Sequence, residues 1–259
     1  MSVLEVDTSD GVRTLTLNRP EARNALNSEL LRALAEGLAD ADKDDDVAVV
    51  VLTGADPAFC AGLDLKQLGS SGDNLRGSPS GVGEGGVGKP WPDLSKPVIG
   101  AVNGVAVTGG FELALNCDFL IASDRARFGD THARVGLLPG WGLSVLLPQA
   151  IGVRRAKEMS LTGNFMDAAE ALSFGLVNRV VPHDELLATT HAIAVDIAGN
   201  DQVAVRALLD EYKRTSATTV GEGLQIEAEL ARGWQGRSFD PAEVERRRQA
   251  IVERGRRQV

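Results

Sequence analysis

The alternation of apolar and polar residues predicts a mixed α/β chain that opens with a β-hairpin. Residues 3–7 and 12–17 alternate around Ser9-Asp10-Gly11, a pattern typical of two strands joined by a tight turn. Asn27-Ser28 precedes leucines at helical spacing, which predicts a capped helix. Residues 47–52 are all apolar and indicate a strand buried on both faces. The strand, loop and helix order recurs, so we expect a layered α/β core.

The pattern changes after Gly142, where helical periodicity predominates. A short strand is expected at residues 176–181, and Pro182 after it favours a sheet edge. We therefore expect an α/β core over residues 1–195 and a helical region over residues 196–259. Such a terminal helical region often packs on a neighbouring subunit.

A glycine-rich segment interrupts the first half of the chain. Eight glycines, with serines and one proline, lie between Gly69 and Gly88. Such a composition buries too little apolar surface to offset its ordering entropy, which predicts a surface loop. Because it begins just past residues 61–64, a lid or insert near a binding site is favoured over a domain linker.

Composition excludes several classes of protein. The chain has 259 residues, 43% of them hydrophobic, which suffices for a large core. A formal charge of −9 argues against nucleic-acid binding. Two clusters of basic residues, at 245–248 and 254–257, depart from this acidic composition. They form either a solvated helix face or a contact for the phosphates of a ligand.

Neither a membrane segment nor a metal site is expected. The sequence has no run of about 20 apolar residues, and its three histidines lack zinc-ligand spacing. The N-terminus has no signal-like region. Cys60 and Cys117 lie in apolar surroundings, which favours two buried thiols in a reducing compartment. We therefore expect a soluble, cytoplasmic protein.

The segment with the most chemical information spans residues 104–115, GVAVTGGFELAL. Its glycine pair precedes an apolar run, and a helix that begins there leaves unpaired N–H groups that attract negative charge. Glu112 lies three residues after Gly109, so its side chain shares a face with those amides. This arrangement favours an oxyanion site beside an acid/base group. The alternative is a tight turn before a helix whose first turn favours an acidic residue.

Several segments in order resemble the enoyl-CoA hydratase/isomerase superfamily, also called the crotonase fold. The resemblance covers nearly the whole chain, and the ordered set is far more specific than any one piece. The matching segments are residues 17–26, 53–54, 59–65, 96–104, 109–118, 126–129, 136–142, 161–163 and 168–177. The resemblance implies a spiral of ββα units and a homotrimer or dimer of trimers in which residues 196–259 form the trimerisation region. It also implies an acyl-CoA substrate with no metal or redox cofactor.

The resemblance also implies the site residues. It assigns the thioester oxygen to the backbone amides of Leu63 and Gly109, and acid/base chemistry to Glu112. The residues implied to hold coenzyme A are Arg23, Ala25, Ala61, Asp64 and Leu65. Arg23 would suit a phosphate. A turn with Asp64 as a helix cap is the structural alternative for residues 61–64.

The chain departs from the family at one position, because His132 stands where hydratases carry a second glutamate. His132 is a candidate second acid/base group, since imidazole titrates near neutrality. Asp130 could substitute for it, or His132 could hydrogen-bond a loop carbonyl or Glu112. Pairing with Glu112 would hold that carboxylate ionised and favour a double-bond shift. We expect an enoyl-CoA hydratase-like lyase acting on a 2,3-unsaturated acyl-CoA, with an isomerase, another acyl-CoA reaction or a non-catalytic acyl-CoA binder as alternatives.

Overall fold

Two β-sheets form the framework of the protein. In the computed structural model, which describes residues 2–76, 88–235 and 241–258, the chain divides into two compact units, Met1–Arg206 and Ala207–Val259. The strands are β1 (Leu4–Ser9), β2 (Val12–Leu17), β3 (Val49–Gly54), β4 (Ala58–Cys60), β5 (Val98–Val102), β6 (Val105–Val107), β7 (Phe119–Ser123), β8 (Arg127–Gly129), β9 (Phe165–Asp167) and β10 (Arg179–Val181).

Helices alternate with the strands along the chain and make up most of its C-terminal half. They are α1 (Ser28–Lys43), α2 (Leu65–Ser70), α3 (Asp73–Arg76), α4 (Gly109–Leu115), α5 (His132–Val135), α6 (Leu143–Ile151), α7 (Val153–Thr162), α8 (Ala168–Phe174), α9 (Leu186–Ala198), α10 (Gln202–Thr215), α11 (Val220–Gln235) and α12 (Pro241–Gln258). Short 3₁₀ turns occupy Pro20–Ala22 and His183–Glu185. The strand and helix order agrees with the predicted mixed α/β class.

The larger sheet has six strands in the order β1-β2-β3-β5-β7-β10. β1 and β2 form the predicted hairpin, and their antiparallel register places Leu4 opposite Leu17 and Ser9 opposite Val12. The other neighbouring pairs are parallel. β10 lies at the edge, as Pro182 indicated.

The predicted burial of the third strand on both faces is confirmed. Val50 and Leu52 of β3 join the main hydrophobic core, whereas Val49 and Val51 join a second cluster on the other face of the sheet. α9 covers that second face. Because successive strand residues point to opposite faces, an uninterrupted apolar strand requires packing on both sides.

The predicted cap of α1 is also confirmed. The Asn27 side chain accepts a hydrogen bond of 2.8 Å from the Leu30 N–H, which satisfies one of the free donors at the helix start. The leucines at helical spacing are buried in the main core.

The smaller sheet has four strands in the order β4-β6-β8-β9. β9 pairs antiparallel with β8, whereas the other pairs are parallel. The strand at residues 165–167 was not predicted from the sequence, because three residues are too few to show a strand alternation. This sheet carries the strands that precede the site described below.

The glycine-rich segment is partly helical. The C-terminal end of α2 and all of α3 fall within residues 69–76, where the sequence analysis predicted a loop. A lid over residues 69–88 stays a prediction, because residues 77–87 lie outside the described part of the chain.

The unit Ala207–Val259 consists of helix throughout most of its described length. No helix in the described ranges is long and apolar enough to cross a membrane. The division at residues 195 and 196 and the trimerisation role of residues 196–259 stay predictions.

A buried asparagine fixes the turn between β2 and α1. Asn24 has φ 56°, and its side-chain Nδ2 donates 2.7 Å hydrogen bonds to the carbonyls of Ala55 and Ala58. Its Oδ1 accepts from the Arg19 N–H at 2.9 Å. Asn24 therefore holds this turn against the corner that connects β3 to β4, and asparagine tolerates the left-handed conformation better than most residues.

We predict that Asn24→Ala destabilises the protein by about 2–4 kcal/mol, because buried carbonyls lose their donor and alanine disfavours positive φ. Urea unfolding at 25 °C measures the change. Asn164→Ala, at an exposed position, is the matched control and should change stability by less than about 0.5 kcal/mol. An equally small effect at Asn24 would contradict the prediction.

Candidate active site

The start of α4 comes unusually close to β4. A Cβ atom placed on Gly110 would lie 2.2 Å from the Cys60 carbonyl oxygen, so only glycine permits this approach. Thr108, directly before α4, has φ 48°, a left-handed value that non-glycine residues seldom adopt. The glycine pair predicted at this helix start therefore serves close packing of the helix against the smaller sheet.

Two backbone amides from separate segments meet beside α4. Leu63 pairs with Leu26 in an isolated bridge, in which Leu26 N–H donates to the Gly62 carbonyl at 2.7 Å and Asp64 N–H donates to the Leu26 carbonyl at 3.0 Å. The Leu63 nitrogen lies 3.7 Å from the position of a Cβ on Gly109. Within the described ranges, neither the Leu63 nor the Gly109 N–H donates to a protein acceptor.

Glu112 is buried close to these amides, with 2% of its surface exposed. Its Oε1 accepts a 2.7 Å hydrogen bond from the Trp141 N–H, and its Oε2 lies 3.6 Å from His132 Nε2. Burial raises the pKa of Glu112, and the Trp141 N–H and His132 offset this only in part. One carboxylate oxygen is thus fixed by the backbone, while the other faces the imidazole.

His132 is held from its other side by a second buried carboxylate. Its Nδ1 lies 2.6 Å from Asp130 Oδ1, and its backbone N–H donates to the same oxygen at 3.1 Å. Burial opposes ionisation of Asp130, but hydrogen bonds from His132 and Ser160 outweigh it and hold the Asp130 pKa below its usual range. Asp130, His132 and Glu112 therefore form a continuous row.

Glu112 and His132 border a cavity of about 210 Å³ with largely apolar walls. Its lining residues are Ala61, Leu63, Leu65, Asn74, Thr108, Gly109, Glu112, Thr131, His132, Val135, Leu137, Leu138, Gly140 and Trp141. A cleft or cavity with mostly apolar walls and a few convergent polar groups is the usual form of a small-molecule site. The sequence-predicted pairs Glu112 and His132, and Leu63 and Gly109, all line it.

The residues predicted to hold coenzyme A occupy different surroundings. Ala61 and Leu65 line the cavity. The Asp64 carboxylate caps α2 through the Lys66 N–H and pairs with Arg19 at 3.0 Å, so the capping alternative describes its contacts. Arg23 is exposed.

Ala25 lies beside the same arginine. Its side chain is buried, and its carbonyl accepts from Arg19 Nη1. Sequence reasoning missed Arg19 as an individual site residue, although it lies within the motif at residues 17–26. Asn74, which lines the cavity, was missed as well. The Trp141 N–H was also missed, because no residue pattern predicts which backbone amide meets a distant carboxylate.

Comparison with known proteins decides the family. A model of the family "Enoyl-CoA hydratase/isomerase" matches residues 7–258, almost the entire chain. The chain belongs to the enoyl-CoA hydratase/isomerase family. The predicted recognition and crotonase fold are thereby confirmed.

Relatives of this family member carry two kinds of name. A "Probable enoyl-CoA hydratase 1, peroxisomal" of Arabidopsis thaliana is 39% identical, covering 87% of this chain and 84% of that protein. A crystal structure of an enoyl-CoA hydratase from Mycobacterium smegmatis is 55% identical with a TM-score of 0.76, covering 92% and 100% of the two chains. A monofunctional enoyl-CoA isomerase from M. smegmatis is 37% identical with a TM-score of 0.71, covering 86% and 98%.

We predict that Glu112→Gln makes the protein more stable at neutral pH. The folded-state pKa of Glu112 lies above its ordinary value of 4.5, so the folded state binds more protons and wild-type stability falls as pH rises from 4.5 through the folded-state pKa. Glutamine removes this cost and keeps an acceptor for the Trp141 N–H. Urea unfolding at several pH values should show an advantage for the variant at pH 8 that disappears towards pH 4.

The exposed Glu158→Gln is the matched control and should follow wild type at every pH. A Glu112→Gln variant that is less stable than wild type at pH 8 would show that the carboxylate stabilises the fold.

Proposed function

We propose that the protein is an enoyl-CoA hydratase, which adds water across the 2,3-double bond of an acyl-CoA thioester. The observation that supports this is the convergence of Glu112 and His132 on one cavity, beside the free amides of Leu63 and Gly109. Hydration needs a base for water and an acid for the α-carbon, and two adjacent titratable groups supply both.

The two amides are the proposed oxyanion hole. The thioester oxygen would accept hydrogen bonds from Leu63 and Gly109, which draws electrons from the double bond and makes C3 electrophilic. Preorganised donors of this kind are worth about 3–4 kcal/mol each in a site that excludes water. The apolar walls of the cavity favour such exclusion.

His132 and Glu112 then divide the proton transfers. His132 Nε2 takes a proton from water as the water oxygen bonds to C3, and Glu112 gives its proton to C2. A raised pKa suits Glu112 to this donation. The cycle closes when the proton on Nε2 passes to Glu112 Oε2, 3.6 Å away. Both side chains then return to their starting protonation states. One hydrogen of the water molecule stays on the C3 hydroxyl, and the other replaces the proton that Glu112 gave to C2.

The same geometry favours hydration over a double-bond shift. A shift between C2 and C4 needs one carboxylate that stays ionised to take up the first proton. In this site burial disfavours the charged form of Glu112 more than the imidazole of His132 favours it, so the Glu112 pKa is raised. A second titratable group, His132, has a clear role in hydration, because the water molecule must be activated by a base.

We predict that Glu112→Gln and His132→Gln each reduce the turnover of crotonyl-CoA by about 100-fold or more, since each removes one proton-transfer group. Loss of the absorbance of the conjugated thioester measures hydration. Glu158→Gln, the matched control, should retain wild-type turnover.

Two other outcomes would overturn the hydratase proposal. Conversion of a 3-enoyl-CoA without hydration would identify an isomerase. Tight binding without turnover of a panel of enoyl-CoAs would identify a non-catalytic acyl-CoA binder.

We also propose that coenzyme A lies against Arg23, Ala25, Ala61, Asp64 and Leu65. Two of these, Ala61 and Leu65, line the cavity, and the exposed Arg23 cation is available for a phosphate. The two free cysteines are buried, and burial raises the pKa of the Cys60 thiol to about 12. Such unreactive thiols suit a reducing compartment, and we propose a cytoplasmic location.

The assembly that we propose is a homotrimer or a dimer of trimers, held in part by residues 196–259. Support comes from apolar side chains that are exposed on a single chain, including Val220, Leu224 and Ile251. Exposed apolar residues in number mark surfaces that another protein covers.

Sedimentation equilibrium is expected to give a mass three or six times the 27.3 kDa of one chain. Leu224→Glu should weaken the assembly, because a buried charge is costly at an apolar interface. A wild-type mass of one chain at micromolar concentration would refute the proposal.

A further inference from the structure

We propose that Asp130 is a positioning residue that fixes His132 in one tautomer, with the proton on Nδ1 and the lone pair of Nε2 directed at the reaction. This inference rests on the proposed hydratase function and extends it to a residue outside the cavity lining. The Asp130–His132 pair would thus accept the proton from water, a role that a single carboxylate at position 132 could also fill.

The contacts of Asp130 determine which imidazole nitrogen carries the proton. An ionised carboxylate accepts hydrogen bonds and donates none, so a contact of 2.6 Å between Asp130 Oδ1 and His132 Nδ1 requires a proton on Nδ1. In the neutral ring Nε2 is then an acceptor, and this is the nitrogen that faces Glu112 Oε2. The opposite tautomer would place two acceptors 2.6 Å apart.

The local backbone makes this pairing rigid. The same Oδ1 accepts the His132 backbone N–H at 3.1 Å, so the aspartate closes an Asx-type turn over Thr131 and binds the imidazole at once. Asp130 is 1% exposed and His132 is 7% exposed, so bulk water competes little for either hydrogen bond. Rotation of the ring would break a short, buried, charge-assisted contact.

Asp130 itself stays ionised in this environment. Hydrogen bonds from His132 and Ser160 hold the Asp130 pKa below its usual range in spite of burial. The residue does not line the cavity, and its direct contact with the site is through His132, although its charge also helps to raise the pKa of Glu112. An orienting aspartate behind a catalytic histidine is a general device for selecting the tautomer that can accept a proton.

The decisive measurement combines NMR with a double-mutant cycle. The chain has three histidines, so ¹⁵N-histidine spectra are simple, and His132→Gln identifies the signals of His132. We expect the neutral His132 ring to be protonated at Nδ1 in wild type. Asp130→Asn should shift the signals towards the other tautomer.

Kinetics tests the consequence of the tautomer. Asp130→Asn should lower kcat for crotonyl-CoA on the order of 100-fold or more, with KM changed less than about threefold, because Asp130 does not contact substrate. In the His132→Gln background the same change should cost less than about threefold, since the group through which it acts is gone. A merely structural aspartate would reduce activity in both backgrounds.

Two results would overturn the proposal. One is a neutral wild-type His132 that is protonated at Nε2, a result that stands even if Asp130→Asn fails to fold. The other is a loss of activity from Asp130→Asn that is equal in the two backgrounds. Failure of the hydratase function is recognised separately, because wild type would then add no water to crotonyl-CoA while the NMR result still reports the tautomer.

Discussion

The site depends on the burial of one carboxylate. Removing Glu112 from water disfavours its charge, and backbone hydrogen bonds from Trp141 and Leu143 together with a nearby imidazole recover only part of that loss. A carboxyl group whose burial is only partly offset by hydrogen bonds has a pKa closer to neutrality, and it therefore gives and takes a proton more readily than a fully solvated carboxylate or one fixed in an ion pair. The second carboxylate oxygen lies 3.6 Å from His132 Nε2.

Burial of that carboxylate is possible because three separate segments close around it. α4 supplies Glu112 itself, the turn after β4 supplies the Leu63 amide, and the segment between β8 and α6 supplies His132 and the Trp141 N–H. β4, β6 and β8 are neighbours in the smaller sheet, so the segments that follow these three strands begin close together. The tight contact at Gly110 then sets the depth of α4 against β4.

The sequence predicted the parts of this arrangement that are local. The hairpin, the cap at Asn27 and the doubly buried β3 each follow from residues close together in the chain. Glu112 was found because glycines and an apolar helix surround it. The sequence could not predict the Trp141 contact or the 2.6 Å contact between Asp130 and His132, since both depend on loop conformation. β9 was not predicted because three residues are too few to show the alternation of apolar and polar positions in a strand.

The position of the Leu63 amide depends on polar contacts outside the cavity. Arg19 binds the Ala25 carbonyl and the Asp64 carboxylate, which lie next to Leu26 and Leu63 in the two segments that the isolated bridge joins. Asn24 fixes the same turn to the β3–β4 corner. The bridge uses the Gly62 carbonyl and the Asp64 N–H, so the Leu63 N–H is directed away from the segment that contains Leu26, and Leu63 lines the cavity. An unsatisfied backbone donor is costly unless a ligand or water meets it. The residues of the turn at 19–26 therefore maintain, at a distance from the reacting atoms, the free donor on which binding of a thioester oxygen would depend.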